Sequence, residues 1–186
     1  MAKLESPSAQ RNQLPIWEQV FEQHLLQGIG NATKIKVLEV ASGSGVHTQY
    51  FARQLADRRI PTLWQSTDPA ASALASQEAY INEIASTARA HDGEETEGWR
   101  TRGTVQFAKP LFLTLNAKGI QEPDTDVALA DESFDWIWNI NMIHISPWSA
   151  TQGLMKMAGR KLKPSAGRLL LYGPYRVQGS MVESNQ

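Results

Sequence analysis

The apolar positions of this chain fall into short β-branched blocks separated by stretches of helical periodicity. Ile35, Val37, Leu38 and Val40 form a nearly continuous apolar run, which reads as a strand buried on both faces of a parallel sheet. It ends in Ala41-Ser42-Gly43-Ser44-Gly45, where small residues let the backbone turn sharply and come close to a ligand. A helix follows, with Tyr50, Phe51 and Leu55 on one side. The same alternation predicts a second strand over residues 62–67 ending at Asp68, and a helix through Leu74, Ile81, Ile84 and Ala88 reaching about Ala90. It then predicts a third strand over 111–115, a fourth over 134–140, a helix from Ser146-Pro147 to Lys161, and a fifth strand over 168–172. Upstream, Trp17, Val20, Phe21 and Leu25 make a helical face, with Asn12 as its cap, Pro15 in its first turn and a Gly-Asn stretch at 28–31 to close it. Residues 1–10 read as a disordered lead-in, 91–104 as a solvated loop and 116–133 as irregular. Five strands alternating with helices predict a single α/β domain over 1–186, an open parallel sheet covered on both faces.

Strand, glycine loop and helix open a nucleotide-binding βαβ unit, whose helix N-terminus offers free N–H groups to a polar or anionic ligand. Glu39 sharpens this reading, because a carboxylate inside an apolar strand costs stability unless it has a partner. A dinucleotide fingerprint would place a third glycine where Thr48 stands, and no Gly-Lys-Ser/Thr follows to hold a triphosphate. An acidic residue at the strand's end suits a ligand with an ammonium group, such as the methionine half of S-adenosylmethionine (SAM). Asp68, about twenty residues past the glycines, is placed to accept hydrogen bonds from ribose hydroxyls or to cap the next helix.

Composition narrows the partners. The net charge of −1 gives no electrostatic footprint for nucleic acid, and no apolar run is long enough for a membrane span. There is no cysteine, so disulfides, thiolate metal sites and cysteine nucleophiles are excluded. The acidic cluster Asp124, Asp126, Asp131 and Glu132 lacks calcium-loop spacing and reads as a solvated surface, so no metal is expected. The start lacks the apolar core of a secretory signal, and the cytoplasm is the default expectation.

The chain resembles the class I SAM-dependent methyltransferases, and among them the methyltransferase-like 26 family. The matching stretches are Arg11, Asn12 and Pro15; LEVASGSG with His47; WQSTD at 64–68; FDWIWNINMIHISPW at 134–148; and LKP with LLLYGPY at 162–175. The resemblance implies a Rossmann-like sandwich and methyl transfer from SAM to a small-molecule or peptide acceptor. It implies that Glu39, Ser42, Gly43 and Gly45 hold the methionine end, Asp68 the ribose, and that Arg11 and Asn12 cover the cofactor. Asn139 and Asn141 would lie beside the methyl group, with His144 as the candidate base. Three departures stand out: Ala41 replaces the first glycine of the loop, Thr114 replaces an aspartate near the adenine amino group, and the chain ends before the family's final antiparallel strand pair. The last departure leads to an expectation of an exposed edge at the fifth strand, self-association through it and weak activity. A non-catalytic SAM-binding or interaction protein is the alternative reading. A nicotinamide-dependent oxidoreductase is disfavoured by Thr48 and by the lack of a Tyr-x-x-x-Lys pair.

Overall fold

A computed structural model describes residues 3–27, 29, 34–88, 99–177 and 180–181. The Gly-Asn stretch read as the end of the first helix lies mostly outside these residues, as do 89–98 and the C-terminal 182–186.

The central strands form where burial on both faces demands apolar runs. β1 (Ile35–Val40) sits between β2 (Thr62–Asp68) and β8 (Trp136–Ile140), paired in parallel with each. All five residues of β8 are buried. The full order is β3-β4-β2-β1-β8-β9, with β3 (Trp99–Arg102), β4 (Val105–Ala108) and β9 (Arg168–Tyr172). β5 (Leu111–Phe112) continues the pairing beside the end of β2. Side chains of β1 alternate between two cores. Ile35 and Val37 join Phe21, Phe51, Trp64 and Trp138 on one face, while Leu38 and Val40 join Leu113, Leu154 and Met157 on the other. The first core lies under α2 (Val46–Asp57) and α3 (Ala71–Ala88); the second lies under α5 (Trp148–Lys161). Phe21 anchors the first core, with its ring 4.6 Å from Phe51 and 4.9 Å from Trp138 in edge geometry. No helix among the described residues is long and apolar enough to cross a membrane.

The five parallel strands are present, but the edge beyond β2 differs from expectation. Over residues 62–64 its neighbour is β4, the strand expected over 111–115 is shortened to β5 beside Thr67 and Asp68, and β3 runs antiparallel to β4. Val105 and Phe107 are buried while Gln106 and Ala108 are half-buried. Such alternation marks a strand covered mainly on one face, and it is a weaker signal than a central apolar run. The expected loop over 91–104 therefore contains a strand. On the opposite side, β9 has β8 as its sheet neighbour, and a separate hairpin of β10 (Arg176–Val177) and β11 (Ser180–Met181) follows it.

The lead-in is also corrected. α1 spans Pro7–Ile16, with Ser6 at the cap position and Pro7 in its first turn, so residues 7–10 are helical and Asn12 lies inside the helix. Pro15 is likewise internal, where it removes a donor and crowds the preceding turn. The winding then widens to π-type bonding over Trp17–Leu25.

The region over 116–133 holds more than irregular chain. β6 (Leu115–Asn116) and β7 (Gly119–Ile120) form a hairpin, followed by α4 (Pro123–Ala128). Part of the acidic cluster serves an internal cation: the buried Lys161 ammonium lies 2.8 Å from a carboxylate oxygen of Asp126 and 2.8 Å from one of Asp131.

The hairpin reaches α5 because Gly153 has no side chain; a Cβ there would lie 2.2 Å from the carbonyl oxygen of Asn116. A Cβ at Gly159 would meet nothing within 4 Å. Gly153→Ala should therefore lower the melting temperature by several degrees, by overpacking of about 1–3 kcal/mol. Gly159→Ala should leave it unchanged or raise it, since alanine favours a helix interior by up to about 1 kcal/mol. Thermal melts of the two variants check this; equal effects would mean that the hairpin does not press on α5.

Candidate functional site

The sheet reverses its strand order between β1 and β8, and the loops leaving their carboxyl ends diverge there. The loop after β1 places Ala41 (φ 55), Gly43 (φ 57) and Gly45 (φ 94) in left-handed conformations. For Ala41 that conformation costs about 1–2 kcal/mol, so the surroundings must hold it. They do so from three sides. Ser42 donates its N–H to the Thr67 carbonyl at 2.9 Å. Asp68 accepts the Gly43 N–H on Oδ2 and the Ala70 N–H on Oδ1, each at 2.9 Å. From α3, Gln77 donates to the Gly43 carbonyl (3.0 Å) and Ser76 to the Ser44 carbonyl (2.7 Å). Ser76 in turn accepts the Leu4 N–H at 2.8 Å, which brings the N-terminal segment against the loop.

A cavity of about 330 Å³ opens over this loop, lined by Glu39, the 41–44 backbone, His47, Asp68 and Pro69 on one side. Ser6, Ser8 and Ala9 of the N-terminal segment face it, as do residues 140–142, Ile145 and Ser146 that follow β8. A second cavity of about 230 Å³ adjoins it through Ala41, Pro69, Met142 and Ser146. Val40, Leu113, Thr114 and Leu115 give it a mostly apolar wall.

Glu39 is buried at the cavity's inner end. Its Oε2 accepts the Thr48 hydroxyl at 2.6 Å and the Trp64 indole N–H at 3.1 Å. Burial pushes its carboxyl up to about 7, against which Thr48 and Trp64 favour the charged form, as does the nearby Trp138 indole. His47 stacks on Phe51 at 5.5 Å and meets Asn12 Oδ1 through Nε2 at 2.7 Å. Burial lowers its pKa to about 4, so the ring is neutral and the Nε2–H donates to Asn12. Asp68 is raised by burial, with the N–H groups of Ala70 and Gly43 opposing that shift.

Of the residues singled out in the sequence, Glu39, Ser42, Gly43, Asp68 and Asn141 line the larger cavity and Thr114 lines the smaller. Asn12 is one step removed, through His47. Gly45 serves packing: a Cβ there would lie 3.0 Å from the Gln77 Cα. Arg11 and His144 are exposed and lie outside both linings. His144 instead stands beside Gly173, its Nδ1 3.5 Å from where a Cβ on that glycine would sit. Asn139 is fully buried and donates Nδ2–H to the Val40 carbonyl at 2.9 Å, so it joins β8 to β1 and does not face the cavity. Sequence reasoning missed Ser6, Ser8 and Ala9, although Ser6-Pro7 is a cap-and-first-turn signature that could have placed a helix start there.

The fold is the Rossmann-like one found in class I methyltransferases, and solved structures bear out the architecture. The DszA carbon methyltransferase matches with a TM-score of 0.55 and 18% identity over 94% of this chain and 38% of that one. The CurJ carbon methyltransferase matches at 0.54 and 17% identity, over 89% and 35% of the two chains. The CMeT domain of the citrinin polyketide synthase matches at 0.53 and 18%, over 89% and 39%. This chain thus spans well under half the length of these neighbours, and the likeness is one of fold. By sequence the chain belongs to the family described as "Protein of unknown function (DUF938)", whose model matches residues 3–186.

Glu39 offers a pH test. Its folded-state carboxyl lies at about 7 against an ordinary 4.5, so folding favours the protonated form. That contribution is full below the ordinary value and is lost as pH rises through the folded one. Glu39→Gln keeps an acceptor oxygen for Thr48 and Trp64 without a charge. It should melt with the wild type near about pH 5 and above it near about pH 8, a gap of about 3 kcal/mol. Thermal melts across that range check this; a gap independent of pH would show that Glu39 stays charged when folded.

Proposed function

We propose that this chain binds SAM and transfers its methyl group to an acceptor. The observation that carries the reading is the pair of adjoining cavities at the switch point, with a buried carboxylate at one end and an apolar slot at the other. Together their volumes suit a small-molecule site, for which about 300–1,000 Å³ is typical.

The residues present fit the cofactor. A Cβ on Gly43 would meet no protein atom within 4 Å, so the loop leaves a cradle that the methionine end fills. Glu39 faces its ammonium group, with Oε2 already engaged by Thr48 and Trp64 and Oε1 left for the ligand. Asp68 spends one lone pair on each N–H it holds and keeps others for ribose hydroxyls. Thr114 gives its hydroxyl proton to Glu122 or Gln121, which leaves its oxygen as an acceptor for the adenine amino group. Val40, Leu113 and Leu115 supply apolar contact for the ring. The bound cofactor supplies an electrophilic methyl group on a sulfonium. The chain's part is alignment: the left-handed loop and Glu39 fix the donor end, and Asn141 and Met142 bound the space from which an acceptor approaches. No proton transfer is assigned to His144, which lies outside the lining, and that placement favours a non-catalytic SAM-binding protein as the second reading. The stretches 38–47 and 134–148, which resemble the methyltransferase-like 26 family, supply most of the larger cavity's wall and support membership of that family.

Calorimetric titration with SAM tests the binding, and labelled-methyl transfer separates the two readings. Gly43→Val should weaken SAM binding more than about tenfold, because the side chain enters the cradle and strains a left-handed residue. A folded variant with wild-type affinity would remove the loop from the site.

A further inference from the structure

Ile145 and Trp148 are 77% and 69% exposed; Ile145 lies in the turn before α5 and Trp148 is the first residue of that helix. Ile145 lines the larger cavity. Single exposed apolar side chains are ordinary, but two large ones that bracket Ser146 and Pro147, which line the cavities themselves, mark a binding surface. Their exposure is built into a fixed loop. Asn141 holds a left-handed conformation (φ 63) with its N–H on the Tyr172 carbonyl at 2.8 Å. The Ile145 N–H reaches the Met142 carbonyl at 3.0 Å, and the Ala150 N–H reaches that of Pro147 at 2.9 Å.

The charge around the cavity limits what this lip receives. Among the described residues of its lining there is no lysine or arginine, and the charged side chains are Glu39 and Asp68. An anionic acceptor would approach two carboxylates with no counter-ion in that wall. The facing rim, Ser6, Ser8 and Ala9, offers hydroxyls and a methyl group and no charge.

We propose that Ile145 and Trp148 form the acceptor-binding lip and select an uncharged small molecule with an aromatic or branched apolar body. This rests on the methyltransferase reading and names its substrate class. The cofactor occupies the cradle over Gly43, so the acceptor's nucleophilic atom points inward past Ile145. Its apolar body lies against the lip and stacks on the Trp148 indole.

The test uses the intact chain, labelled SAM and an acceptor panel: phenol, aniline and benzyl mercaptan, each paired with its ring-carboxylated counterpart, beside a protein extract. SAM binding is measured in parallel by calorimetry. Label should enter the uncharged members in preference to the carboxylated ones by at least about tenfold. Ile145→Asp and Trp148→Ala should each lower kcat/KM for those acceptors by about tenfold, the effect of losing one large apolar contact. Trp148→Phe should restore most of it, and Trp148→Ala should leave SAM affinity unchanged. Failure to bind SAM would remove the methyltransferase reading and this proposal with it. SAM binding with equal label on the carboxylated members, with label in the protein extract alone, or with none on the panel would overturn the lip while leaving the cofactor site standing.

Discussion

The Asp68 carboxylate holds the N–H of Gly43 with one oxygen and that of Ala70 with the other, and the architecture above the sheet depends on that double grip. It joins the end of β2 to the loop leaving β1 and to the start of α3. The loop's left-handed residues at 41, 43 and 45 are a conformation that a free chain would seldom hold. Burial works against the charge on Asp68 and the two N–H groups work for it, so the carboxylate stays useful only while both are in place. Because each oxygen gives up one lone pair, capping leaves room for the proposed ligand binding on the same side chain.

A second carboxylate lies deeper and is harder to keep. Glu39 pairs in register with Ser66 on one side and Trp138 on the other, in a fully buried row of the sheet. An apolar residue there would pack into the aromatic core of Phe51, Trp64 and Trp138 at no desolvation cost. The chain instead meets the carboxylate with the Thr48 hydroxyl and the Trp64 indole N–H, donors that are themselves compatible with an apolar core. A costly buried group ringed by matched donors at a cavity's inner end is the signature of a site kept for binding rather than for stability.

Legibility followed the strength of the physical signal. β1, β8 and β9 were readable because a strand covered on both faces must be apolar along its length, and the Ala41–Gly45 loop because its small residues have few other uses. β3 and β4 were hidden because their positions mix polar and apolar residues. The hairpin over β6 and β7 depends on a missing Cβ at Gly153, thirty-odd residues away, which periodicity does not report. Among site residues, those on the glycine loop were found and those on α1 were not. Arg11 and Asn12 marked the right segment, but the surface that meets the cavity is one turn earlier, at Ser6, Ser8 and Ala9. His144, read from the sequence as a candidate base, has its ring by Gly173 and outside both cavity linings.

The two walls of the cavity are held by different means. The β1 side is locked into the sheet through Asp68, Ser42 and Asn139, so its geometry is inseparable from the fold. The α1 side is held by two side-chain bonds, Leu4 to Ser76, which itself bonds Ser44, and Asn12 to His47, together with the buried Ala9 and Ile16. Segments secured by a few side-chain bonds open at lower free energy than core strands do. Under the proposed function, a wall of that kind, facing the fixed loop after β8, would let a small molecule enter and leave while the donor side keeps its shape. Under the same proposal, rigidity on the side that would align a methyl group and looser attachment on the side that would admit ligands are both met by this division, with the neutral His47–Asn12 contact between them.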